Sequence, residues 1–119
     1  MVRAHGYHFE ARVGYLLVVQ EGRVGSVAEA AAFQRAVDEA MIGHGGRRVL
    51  LDNRATERPD EEVRASMWTW VTECTHFDRF ALLLEGERTS QRANLTASRN
   101  RAAVVAFTDE AEALAWLLE

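Results

Sequence analysis

Two hydrophobic periods alternate along this chain. Tyr7-His8-Phe9-Glu10-Ala11-Arg12-Val13 switches between apolar and polar residues, which predicts a strand with one face in water. Gly14 is a turn signal, and Tyr15-Leu16-Leu17-Val18-Val19 follows as a more deeply buried strand, so the two form an antiparallel hairpin. After the loop Glu21-Gly22-Arg23-Val24-Gly25, the run Ser26-Val27-Ala28-Glu29 is a capping box, whose serine and glutamate satisfy free amides at a helix start. That helix sets Ala30, Phe33, Val37, Ala40 and Met41 on one face and stops at Gly45-Gly46. Arg48-Val49-Leu50-Leu51-Asp52 is a third strand. Pro59-Asp60-Glu61-Glu62 opens a second helix with acid at the positive end of its dipole and Val63, Met67, Trp70, Val71 and Cys74 inward. Phe80-Ala81-Leu82-Leu83-Leu84 is a fourth strand, and Glu87 to Arg101 a weaker helix, since only Leu95 and small alanines can face a core. Ala102-Ala103-Val104-Val105-Ala106-Phe107 is apolar without alternation, as in a strand covered on both faces. Thr108 or Asp109 caps a closing helix, Ala111 to Leu118, with Asp109, Glu110 and Glu112 at its start.

The order β-β-α-β-α-β-α-β-α predicts an α/β sandwich of two or three layers. Strands joined through helices should be parallel with right-handed crossovers, and the first hairpin strand should be an antiparallel edge. With one proline and no low-complexity linker, residues 1–119 read as a single domain.

Composition narrows the function classes. At 48% hydrophobic and 27% charged residues this is an ordinary globular composition. Cys74 is the only cysteine, so no internal disulfide forms and a cytoplasmic setting is expected. Met1 to Gly6 does not lead into a signal-peptide core, and the apolar strings are too short to span a bilayer, so no membrane insertion is expected. A formal charge of −4 opposes whole-protein attraction to nucleic acid. All 14 basic residues are arginines, which removes Schiff-base and phosphate-loop lysine chemistry.

Ligands of open α/β sheets gather at the carboxyl ends of parallel strands. Here those ends carry Asp52, Asn53 and Arg54 with Thr56, then Glu85, Gly86, Glu87 and Arg88 with Thr89 and Ser90, then Thr108 and Asp109. An acid that closes a strand, such as Asp52, is a metal ligand, a base, a phosphoacceptor or a cap on the next loop. Arg88, Arg92 and Arg99 share a narrow helical sector with Leu95, with Ser90 and Arg101 nearby. The stripe is either a site for an anion or acidic protein surface, or a solvated face. Trp68 lies off the apolar face of its helix, as a partner surface or as a ring across a layer edge.

No metal site is expected. His5 and His8 lack a cysteine or acid at ligand spacing, and His44 and His76 complement the carboxyl ends of helices. Cys74 reads as packing beside Met67 and Trp70.

The strand Val49-Leu50-Leu51-Asp52, its following helix, and the ending Val105-Ala106-Phe107-Thr108-Asp109-Glu110-Ala111-Glu112-Ala113-Leu114-Ala115-Trp116-Leu117 together resemble small bacterial STAS-like (SpoIIAA-like) domains. These are related to anti-sigma-factor antagonists and more distantly to CRAL-TRIO lipid-binding modules. The resemblance spans nearly the whole chain in element order and implies a non-enzymatic regulatory or protein-interaction module without a cofactor, working with a protein partner or as a homodimer. The alternative it implies is a pocket between sheet and helices for a small acidic or lipid ligand, with Arg88 or Arg92 at its mouth. Antagonist-type members carry a phosphorylatable serine in an Asp-Ser-Ser-Gly motif after this strand. Here Thr56-Glu57-Arg58-Pro59-Asp60-Glu61-Glu62 stands in its place, with Thr56 as the lone hydroxyl and the three acids Asp60, Glu61 and Glu62 where a phosphate would add charge. The first reading expects an exposed apolar patch that includes Trp68 or Trp116. The alternative expects a closed apolar cavity.

Overall fold

A computed structural model describes residues 3–74, 76–99 and 103–119 of the chain. Strands β1 (Gly6–Arg12) and β2 (Tyr15–Gly22) form the expected antiparallel hairpin. Then α1 (Val27–His44), β3 (Arg48–Thr56), α2 (Glu61–Glu73), β4 (Arg79–Leu83), α3 (Glu87–Arg99), β5 (Val104–Phe107) and α4 (Glu110–Leu117) follow. The sheet order is β1-β2-β3-β4-β5, and every pair after the first is parallel.

This monotonic order decides the layers. When each parallel strand is laid on the same side of the last, crossovers of one hand carry their helices over one face. Thus α1, α2 and α3 cover the face of Leu16, Val18, Val49, Leu51, Phe80 and Val104. Only α4, which follows the last strand, packs on the opposite face against Leu17, Leu50, Ala81 and Leu83, through Ala113 and Leu117. Phe33 of α1 is fully buried and meets His5, Tyr7 and Trp70 edge-on or tilted, so one ring ties the hairpin to α2 through α1.

The predicted caps form. Ser26 Oγ accepts from the Glu29 amide at 3.1 Å, and Glu29 reaches back to the Gly25 amide at 2.7 Å. Asp109 caps α4 by accepting from the Glu112 amide. Asp60 stands at the N-cap of α2 without a capping bond and is instead hydrogen-bonded to Arg23.

Two strands run past their expected ends, β2 to Gly22 and β3 to Thr56, because each supplies the other's hydrogen-bonding partner, with a register shift between Val19 and Glu21. Gly22 ends β2 at φ 75°, and a Cβ there would lie 2.1 Å from the Ala4 carbonyl oxygen. Only glycine lets the amino-terminal segment lie this close, where Arg3 O accepts from Arg23 N at 3.1 Å. Arg101 and Ala102, the expected end of one helix and start of a strand, lie outside the described residues.

Candidate binding groove between the second and third helices

Helix α2 leans on α1, whereas α3 is drawn to the outer strand β5. Between α2 and α3 they leave a cavity of about 620 Å³ above β3, β4 and β5. Its floor is apolar: Leu51, Phe80, Leu82 and Val104. The α2 wall presents Val63, Met67, Trp68, Trp70 and Val71, and the α3 wall presents Arg92, Leu95 and Arg99. The cavity opens to solvent, so the closed pocket expected under the lipid reading is an open groove.

The stripe on α3 is therefore one wall of this groove. Arg92, Leu95 and Arg99 line it, and Leu95 is 53% exposed, an apolar side chain held between two cations over an apolar floor. Arg88 lies in the same helical sector but does not line the groove. Arg58 and Arg64 join from the α2 side, and Glu57 and Glu85 stand on the same walls. Among the described residues none of these four arginines pairs with a carboxylate. The groove thus keeps four unpaired cations beside two acids. Pattern reading passed over Arg58 and Arg64, since nothing in sequence ties them to an α3 stripe.

The strand-end cluster Asp52-Asn53-Arg54 divides between the two faces of the sheet. Successive side chains of a strand point to opposite faces. Asn53 faces the groove, whereas Asp52 and Arg54 do not line it and Arg54 approaches Glu110 of α4 at 3.8 Å. Thr56, the last residue of β3, also lines the groove, where strict alternation would have put it with Asp52 and Arg54. Asp52 is bound through both carboxylate oxygens by Arg54, at 3.0 and 2.9 Å. Those bonds hold its carboxyl below the usual carboxylate range and the Arg54 guanidinium above its own. An acid this well neutralised is a weak proton acceptor. Extending the period-two pattern of β3 beyond Asp52 would have separated Asn53 from Asp52 and Arg54 on sequence alone, though not placed Thr56.

At the carboxyl ends of β2 and β3 the groove has a polar end wall. Gln20 is 2% exposed, and its amide donates to Asn53 Oδ1 at 2.6 Å while its oxygen lies 2.7 Å from His5 Nε2. Thr56 Oγ1 donates to the Asn53 carbonyl at 2.7 Å, so this hydroxyl is already engaged. Trp68 is half-buried in the groove wall, and Trp116 is half-buried on the other face beneath Arg79 and beside Phe107. Neither ring forms the exposed patch expected, because each packs against a core cluster.

Two solved structures share this arrangement across the chain. One is an uncharacterized protein of the DUF3478 family with a SpoIIAA-like fold from Shewanella loihica PV-4, at 16% identity and TM-score 0.70, covering 98% of this chain and 95% of that one. The other is an anti-sigma factor antagonist from Mycobacterium paratuberculosis, also at 16% identity and TM-score 0.70, covering 98% and 96%. The chain has the SpoIIAA-like fold. No protein family's sequence profile matches it, and no curated protein matches it in sequence.

The SpoIIAA-like frame also gathers side chains that spacing had left apart. Asp38 of α1 accepts from Trp70 Nε1 at 3.2 Å, and its Oδ1 lies 3.6 Å from Cys74 Sγ. The backbone turns extended at Cys74, and the His76 amide donates to the same sulfur at 3.4 Å. Burial pushes the Cys74 thiol up. Cys74 packs against the core with Trp70 and Val71, and His76 sits beside it on the α1–α2 seam. No helix among the described residues is long and apolar enough to cross a membrane.

Proposed function

We propose that this chain is a non-enzymatic regulatory module that acts by holding an acidic, apolar-anchored segment of a protein partner in the α2–α3 groove. The observation that carries the reading is Leu95 held exposed between Arg92 and Arg99, over a floor of Leu82, Phe80 and Val104. Exposed leucine flanked by unpaired guanidinium groups suits a partner that offers an apolar anchor ringed by carboxylates. The fold shared with an anti-sigma factor antagonist supports a regulatory role through protein contact. The phosphate switch has little support here, because Thr56 is bonded to Asn53 and Glu57, Asp60, Glu61 and Glu62 surround it in sequence. Its one cysteine, free of any disulfide, supports work in the cytoplasm.

The groove's volume favours a second reading. At about 620 Å³ it lies within the range that holds a small molecule, and an amphiphilic acid would set its chain on the sheet and its head on the arginines.

One experiment separates the two. A photo-crosslinking residue placed at Leu95, with the same residue at exposed Ile42 of α1 as control, is activated in the protein's own cells. A protein-sized adduct at position 95 and none at 42 supports the partner reading. A small-molecule mass on the intact chain moves the assignment to the second. Equal labelling at both positions overturns the groove as the working surface.

A further inference from the structure

The seam between α1 and α2 carries a group of side chains that do not line the groove. Asp38, Cys74 and His76 each offer one donor atom, and these atoms lie within 4.8 Å of one another. All three residues are half-buried and line a second cavity of about 470 Å³ together with Glu73. The carboxylate and sulfur are already 3.6 Å apart, close to the spacing of two ligands on one tetrahedral ion with bonds near 2.0 and 2.3 Å. Trp70 Nε1 donates at 3.2 Å to the same carboxylate oxygen, Asp38 Oδ1, and so fixes the orientation of the carboxylate. Such an outer hydrogen bond is what aims a ligand at a metal.

We propose that Asp38, Cys74 and His76 form a binding site for a divalent transition metal of the zinc class. The donor set decides the class. A thiolate and an imidazole select a borderline-soft ion, and a single carboxylate is too little for calcium or magnesium, which require an oxygen shell. Three protein ligands facing a cavity leave one coordination position for water, a fourth side chain or an incoming group. Binding replaces the thiol proton with the ion, so metal uptake releases that proton to solvent. The ion joins α1 to the segment that ends α2, and α2 is a wall of the groove.

The test uses the intact chain, stripped with chelator and titrated with cobalt(II) alone. One equivalent should produce a thiolate-to-cobalt charge-transfer band together with ligand-field bands of four-coordinate intensity. Zinc(II) should bleach both, and should raise the thermal unfolding midpoint of the cobalt-free protein. Cys74→Ser should abolish the charge-transfer band, and His76→Gln and Asp38→Asn should each weaken binding at least about ten-fold, with circular dichroism confirming that each variant is folded. Trp70→Phe, which removes no ligand, should weaken binding by roughly ten-fold. Absence of a charge-transfer band in the wild type overturns the site. So does a band that survives Cys74→Ser, or zinc affinity unchanged in a folded His76→Gln.

Discussion

Asn94 of α3 binds both edge-facing backbone groups of Ala106: its Nδ2 donates to the Ala106 carbonyl at 3.1 Å, and its Oδ1 accepts from the Ala106 amide at 2.7 Å. The carbonyls of Ala103 and Phe107 face β4, where Phe80 and Leu84 donate to them, so by alternation those of Ala106 point to the open side. One side-chain amide therefore stands in for a sixth strand and pulls α3 toward the sheet edge, away from α2. The contact covers the open edge of β5 at Ala106 and helps hold α3 on that side of the groove.

Replacing that amide should therefore cost stability and expose the edge. Asn94→Ala is expected to lower stability by about 1–3 kcal/mol, for two hydrogen bonds lost. Urea denaturation measures the loss, and gel filtration should show self-association through the uncovered β5 edge.

Asp52 sets part of the acid response. Its folded carboxyl lies below the ordinary value of 3.8, first through its side-chain bonds to Arg54. A depressed carboxyl contributes stability that is present above its unfolded value and is lost as the pH falls through its folded value. The stability difference between wild type and Asp52→Asn should accordingly be full near neutrality and close as the solution is acidified below 3.8. Urea midpoints across the acid range measure it, and added salt should shrink the difference because Arg54 is exposed.

Gly22 should not accept a side chain. With φ at 75° and a Cβ position 2.1 Å from the Ala4 carbonyl oxygen, Gly22→Ala must strain the backbone and displace the amino-terminal segment. A loss of about 1–3 kcal/mol is expected by thermal unfolding, with faster amide exchange at Arg23 as its hydrogen bond to Arg3 opens.

Phe33 is the ring shared by hairpin, α1 and α2. Phe33→Ala is expected to cost about 3–5 kcal/mol, read from chemical denaturation.

The groove arginines should behave in the opposite way. Arg92 and Arg99 have no acidic partner among the described residues, so Arg92→Glu with Arg99→Glu should leave stability within about 0.5 kcal/mol. The same pair should abolish crosslinking from position 95, which separates a binding role from a structural one.

Much of this protein was legible before folding was considered. The capping box at Ser26 and Glu29, the inward face Ala30, Phe33, Val37 and Met41, and the cap at Asp109 all form as their local spacing required. The candidate site was legible in part. Asn53, Thr56, Trp68, Glu85, Arg92 and Arg99 do line one groove, whereas Asp52, Arg54 and Arg88 do not. Gln20 was missed because β2 was expected to stop at Val19, and its burial depends on a partner strand more than thirty residues away.

The sequence by itself determined the elements, their order, the inward face of α1 and the parallel sheet with its antiparallel edge, since periodicity, capping and crossover handedness act over short spans or by general rule. On α3 the expected core residue Leu95 is exposed, and Ser90 and Ala97 are buried instead. Tertiary structure alone decided where α3 stands over the sheet, and so whether a groove exists. It also decided that Asp38 meets Cys74 and His76 across the α1–α2 seam. Those outcomes depend on contacts such as Asn94 to Ala106 and Trp70 to Asp38, whose partners share no local pattern and meet only when whole elements pack.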